Sequence, residues 1–222
     1  MSTAVGTDRA ASGLRGAWEV VKRALRMELA IYASIGRFIA RRPAIERGGA
    51  GFGYHRPVLT VLIIFIVLSA VEIPIFDLVV HRWPAVRIPL LVLGIWGLTW
   101  MLGLLCAYLV RPHTVGPAGI RVRAGLETDV LLRWDDIASV ARRLRVDEPK
   151  SPKIVETGDG ADAARMLLLR VNNETVIEIE LERPTPVLLP GHGAAGGAQL
   201  VDAVRIWVDD PTAFMDEVRT YL

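Results

Sequence analysis

The chain has 222 residues but only one cysteine, Cys106, and only four histidines, His55, His81, His113 and His192, spread over different regions. One thiol excludes an internal disulfide, and scattered histidines exclude a clustered Cys/His metal site. No nucleophile elbow, His-Glu-x-x-His pair or Gly-Lys-Ser/Thr phosphate loop is present. The Gly-rich stretch ERGGAGFGYHRP lacks the Lys and hydroxyl that a phosphate loop needs. A non-enzymatic protein with no cofactor is therefore expected. Lysine is scarce as well, three against 23 arginines, which with the Ala and Gly content reads as a high-GC bacterial coding bias.

Apolar sequence, by contrast, is abundant and concentrated. PVLTVLIIFIVLSAVEIPIFDLVV (57–80) and IPLLVLGIWGLTWMLGLLCAYLV (88–110) flank the short turn HRWPAVR (81–87). Each run reaches the roughly 20 residues needed to cross about 30 Å of hydrocarbon, and no soluble strand is this long. Two spanning helices are expected. Pro57 and Pro89 suit first turns, where the missing N–H costs nothing, while Pro74 inside the first run should kink or weaken it.

Charge orients the hairpin. Residues 1–56 hold ten Lys/Arg against four acids, the hairpin through Arg111 three against two, and residues 112–222 thirteen against eighteen. The positive-inside rule then places both termini in the cytoplasm and 81–87 outside, in a bacterial inner membrane. The first 50 residues contain no apolar core of the signal-peptide kind. Nucleic acid is not an expected partner, because the basic residues flank the membrane and the tail is acidic.

Residues 1–47 form a basic amphipathic region. Leu14, Trp18, Val21, Leu25, Leu29, Tyr32, Ile35 and Ile39 recur at helical spacing. That stripe suits either the inner leaflet or a protein surface, and amphipathicity does not choose between them. Residues 48–56 read as a flexible Gly-rich linker.

After Arg111 the hydrophobic period changes to two. GIRVRAG sets Ile120 and Val122 against Arg121 and Arg123, and TVIEIELE sets Ile177, Ile179 and Leu181 against Glu178, Glu180 and Glu182. Further strands are expected at 113–115, 128–133, 138–145, 164–171 and 203–208. Asp210 and Pro211 start a closing helix whose apolar face is Phe214, Val218 and Tyr221 or Leu222. The segments 147–163 and 184–199 read as long loops.

The runs VGPAGIRVRAG, RWDDIASV and VRIWVDDPTAF resemble the bacterial pleckstrin-homology-like domain of small actinobacterial membrane proteins, where it follows a two-helix hairpin. The resemblance implies a transmembrane helical hairpin plus a mainly-β (α+β) cytoplasmic domain over 112–222. That domain would be a split, bent antiparallel sheet closed by the C-terminal helix, a scaffold that binds peptides, proteins or lipid headgroups. No catalytic residue transfers with it.

The candidate sites are few. Glu72 is an ionisable group inside a span, which costs several kcal/mol unless paired, protonated or wet. It reads either as a proton or cation site of a small transporter or sensor, or as the partner of Arg82, Trp83, Arg87 or a second subunit. Asp77 and His81 read as an interfacial pair. Arg142, Arg143, Arg145, Lys150 and Lys153 form either an anionic-ligand patch or a solvated strand edge. The expected partners are the lipid bilayer and another membrane or cytoplasmic protein. Gly94, Gly97 and Gly103 are compatible with a homo-oligomer through the hairpin.

Overall fold

The computed structural model describes residues 4–126, 128–150, 152–157, 164–188 and 198–222. His192 and most of the expected 184–199 loop lie outside them. The chain is α+β, with three long helices, nine strands and a short closing helix among the described residues.

Helices α2 (Arg56–Val79) and α3 (Pro84–Val110) are the two apolar runs. Both are long and apolar enough to cross a membrane, and the protein itself covers 0% and 11% of their most apolar windows. α3 begins four residues before the expected 88. Pro84 takes its first turn, and the Trp83 carbonyl accepts the N–H groups of Val86 and Arg87, both at 2.9 Å. The turn between the helices is accordingly shorter than 81–87, and Pro89 lies within the helix rather than at its start. α2 continues through Pro74, which leaves the Ala70 carbonyl without its helical donor.

Helix α1 (Ala4–Ile39) packs along α3. Its covered face is offset from the expected stripe. Ile31 is wholly buried and Ser34 nearly so, whereas Trp18, Val21, Leu25, Leu29, Tyr32 and Ile39 stay exposed. The close approach depends on Gly103, since a Cβ there would collide with Ile31. Glu28 accepts a hydrogen bond from Trp96 Nε1 at 2.7 Å and another from the Tyr32 hydroxyl at 2.9 Å.

The segment expected as a flexible linker contains a strand, β1 (Ala50–Phe52). It pairs antiparallel with β2 (His113–Gly116), which continues into β3 (Gly119–Ala124) and β4 (Thr128–Leu132), in the order β1-β2-β3-β4. Gly51 permits this, because a side chain would meet Ile45 at 2.6 Å and Pro112 at 3.1 Å. The sheet beside the hairpin thus draws residues from both sides of it.

The second sheet comprises β5 (Ile137–Arg145), β6 (Lys153–Thr157), β7 (Ala164–Leu169), β8 (Thr175–Val187) and β9 (Gln199–Ile206), ordered β5-β8-β9-β7-β6. β6 and the last residues of β8 occupy stretches expected as loops. An all-antiparallel sheet was expected, yet β7 and β9 run parallel. Asn172 (φ 52°) and Asn173 (φ 68°) make a left-handed turn closed by Val171 and Glu174, which begins a hairpin. β9 then inserts between its two arms, antiparallel to β8 and parallel to β7.

Both sheets and α4 (Pro211–Val218) share one core that includes Ile120, Val122, Leu132, Ile177, Ile179 and Phe214. Asp210 caps α4 by accepting the Ala213 N–H at 3.0 Å. Phe214 meets Phe52 edge-on at 5.1 Å, and Tyr221 stacks on Trp134 at 5.3 Å. Trp134 Nε1 donates to the Gly116 carbonyl at 2.9 Å, which ties the Trp-Asp-Asp-Ile corner to the first sheet.

Candidate functional site

Three places hold the residues that bear on function: the junction between helices and sheets, the crevice between α2 and α3, and the exposed edge of β5.

At the junction, His55 and Arg56 enter α2 without a side-chain cap of their own. Asp209 supplies it from beyond β9. Its carboxylate accepts the His55 N–H at 3.1 Å, the Arg56 N–H at 3.2 Å and Trp207 Nε1 at 3.2 Å, and its own N–H donates to the Gly53 carbonyl at 2.8 Å. A negative charge at a helix N-terminus also suits the dipole. His55 Nδ1 is buried without a hydrogen-bond partner, 3.8 Å from Asp209 Oδ2.

Beside it lies buried His113. Nδ1 accepts the Arg123 N–H at 3.0 Å, so Nε2 carries the proton that goes to the Trp207 carbonyl at 3.1 Å. Burial pushes this imidazole down to about 4, and the neighbouring Arg123 charge acts in the same direction against the Trp207 bond. Tyr54 packs on the His113 ring at 4.6 Å and on Tyr108 at 5.7 Å, its hydroxyl accepting the Gly125 N–H at 3.2 Å. Burial raises the Tyr54 phenol above its ordinary range.

Asp129 joins three arginines: Arg121 at 2.6 Å, Arg123 at 3.3 Å and Arg111, at the end of α3, at 3.5 Å. Arg121 also reaches Glu46 at 2.6 Å, and Arg123 donates to the carbonyls of Ala44 and Pro112. Alternation placed Arg123 on a solvent face, but it is 4% exposed. Burial lowers its pKa, opposed by Asp129. No spacing rule marks this cluster, because its members meet only where α3 runs into the first sheet.

In the helical hairpin, Arg87 grips Asp77 with two bonds, Nε at 2.6 Å and a terminal nitrogen at 2.8 Å. The expected Asp77–His81 pair does not form, since His81 Nδ1 faces the Leu78 carbonyl at 2.7 Å. Bidentate geometry explains the preference. Glu72 is exposed and lies at a crevice of about 280 Å³ between α2 and α3 that Ser69, Asp77, Arg87, Gly94 and Gly97 also line. Neither Arg87 nor Arg82 pairs with it, and it has no hydrogen-bond or ion-pair partner among the described residues.

The five basic residues 142–153 do not form one patch. Arg142, Arg143 and Arg145 lie on β5 and Lys153 on β6, and these are opposite edges of the five-stranded sheet. Four steps of about 4.8 Å separate them. Arg143 is engaged by Glu178 at 2.8 Å. Glu178, expected outward with Glu180 and Glu182, is 3% exposed and also binds Arg205 at 2.8 Å. What remains is the end of the β5 edge and the two residues after it, where residues 142–147 are all exposed and Leu144 and Val146 show 62% and 60% of their surface.

Compared with protein-family models, curated proteins and solved structures, the chain matches none.

Proposed function

We propose that this chain is a non-enzymatic bacterial inner-membrane protein with both termini cytoplasmic, whose helical hairpin holds a pleckstrin-homology-like domain against the inner leaflet to bind another protein. The observation that carries the reading is the uncovered apolar exterior of α2 and α3, joined to the sheets by the Asp209–Arg56 and Asp129–Arg111 contacts. Apolar surface of that extent needs lipid. A clamp of this kind fixes the direction in which the sheets face.

The β5 edge is the surface best fitted to a partner. β5 has one neighbouring strand, and exposed Leu144, with Val146 just beyond the strand's end, alternates with Arg143 and Arg145. An extended segment with acidic side chains complements it, gaining ladder hydrogen bonds and charge pairing. Reporter fusions after Arg56, at Trp83 and after Leu222 test the topology, with inside, outside, inside expected. In-membrane crosslinking of the full chain, compared with Leu144→Glu, tests the surface. A partner retained equally by both would remove the β5 edge from the proposal.

A second reading rests on Glu72, an unpaired carboxylate lining the crevice between α2 and α3. It makes the hairpin a small transporter or sensor. Proteoliposomes with Glu72→Gln that conduct protons or cations as the parent does would remove it.

A further inference from the structure

The crevice between α2 and α3 owes its room to a missing side chain. A Cβ on Gly94 would touch Ile73 at 3.0 Å, but nothing lies within 4 Å of one on Gly97. One helical turn toward the cytoplasmic end from Gly94, the helices therefore part, leaving about 280 Å³ with mainly apolar walls. This volume lies at the small end of ligand-sized cavities.

Its electrostatics are asymmetric. Asp77 and Arg87 neutralise each other through two hydrogen bonds. Glu72 is then the one lining carboxylate without a counter-charge. A bare metal ion is a poor occupant, because no group of three or more His, Cys, Asp or Glu converges among the described residues. Apolar walls also return nothing to a metal, whereas they reward an organic ligand in proportion to its buried area.

We infer that this crevice binds a small lipophilic monovalent organic cation, with its charge against Glu72 and its apolar body in the space left by Gly97. The inference rests on the hairpin lying in a bilayer, from which such a ligand enters sideways. It concerns binding, and it stands whether or not the hairpin transports anything.

The test uses tetraphenylphosphonium and the full chain in lipid nanodiscs, with binding followed by equilibrium dialysis. Saturable binding is expected for the parent chain and for Glu72→Asp. Glu72→Gln is expected to weaken it at least about tenfold, a modest demand for one charge pair in a low dielectric. Gly97→Leu fills the space and is expected to weaken it similarly while Glu72 remains. Gly36→Leu, on α1 where a side chain also meets open space, serves as the control and is expected to bind like the parent. Equal binding by Glu72→Gln and the parent overturns the inference. So does a stable dimer on native mass spectrometry that binds no probe and comes apart with Gly97→Leu, because a second copy then fills the crevice. Failed flux in proteoliposomes removes only the transport reading.

Discussion

The carboxylate of Asp209 caps the backbone N–H of Arg56, 153 residues earlier in the chain, so the last connection of the β domain holds the first turn of α2. Asp209→Ala removes that cap and strands the Trp207 indole N–H. A loss of about 2 kcal/mol is expected, combining a cap with a further orphaned donor. For a chain of this length that corresponds to a thermal midpoint roughly 4–8 °C lower in detergent. Asp209→Asn, which keeps an acceptor oxygen, should lose about half as much.

His113 makes stability depend on acid. Its folded value of about 4 lies below the ordinary 6.5, so the unfolded chain binds the proton more readily. The stabilisation is complete above pH 6.5 and is lost as pH falls through about 4, to a limit of about 3 kcal/mol. Midpoints measured from pH 7.5 to 4.5 should fall accordingly. His113→Gln should flatten that part of the slope, and an unchanged slope would show that another group is responsible.

Glu178 and Arg143 form one ion pair with unequal consequences. Glu178 is buried and also holds half-buried Arg205, whereas the Arg143 side chain is 51% exposed. Glu178→Ala should cost about 2 kcal/mol, because it removes the buried carboxylate shared by Arg143 and Arg205 and leaves Arg205 with Glu148 alone. Arg143→Ala should cost below about 1 kcal/mol. Denaturant midpoints of the two variants give the comparison, and equal losses would contradict it.

The seat of α1 on α3 is open to a proteolytic test. Gly103→Leu should push Ile31 outward, and Trp96→Phe should remove the bond to Glu28. Limited trypsin digestion of the full chain in nanodiscs should then cut α1 faster at Lys22, Arg26 and Arg37. The cleavage rate should rise several-fold for Gly103→Leu and about twofold for Trp96→Phe, a fraction of the roughly 1 kcal/mol of one hydrogen bond.

Local pattern made much of the architecture readable. α2 and α3 are continuous apolar runs of helical length, and burial of Ile120, Val122, Ile177 and Ile179 follows their alternation. The closing helix begins at Asp210 and Pro211 because cap and first-turn chemistry are local. Arg123 and Glu178 defeat the same rule, since each occupies a polar position in its strand yet is covered by groups distant in sequence. β1 was missed because three residues in a Gly-rich stretch carry no period, and β2 alone recruits them. The basic cluster failed for the converse reason: neighbours in sequence became opposite sheet edges once β8, β9 and β7 came between β5 and β6.

Composition and periodicity by themselves therefore determined the two apolar helices, the change to strands after Arg111, the capped last helix and the uneven charge along the chain. These features depend on residues a few positions apart, where propensity and hydrophobic period act. Tertiary structure alone decided that Asp77 pairs with Arg87, that Glu72 stays unpaired beside a crevice, and that Asp209 and Asp129 bind the hairpin to the sheets through Arg56 and Arg111. Ion pairs and buried hydrogen bonds are satisfied by whichever partners folding brings within about 3 Å, and sequence distance carries no record of that.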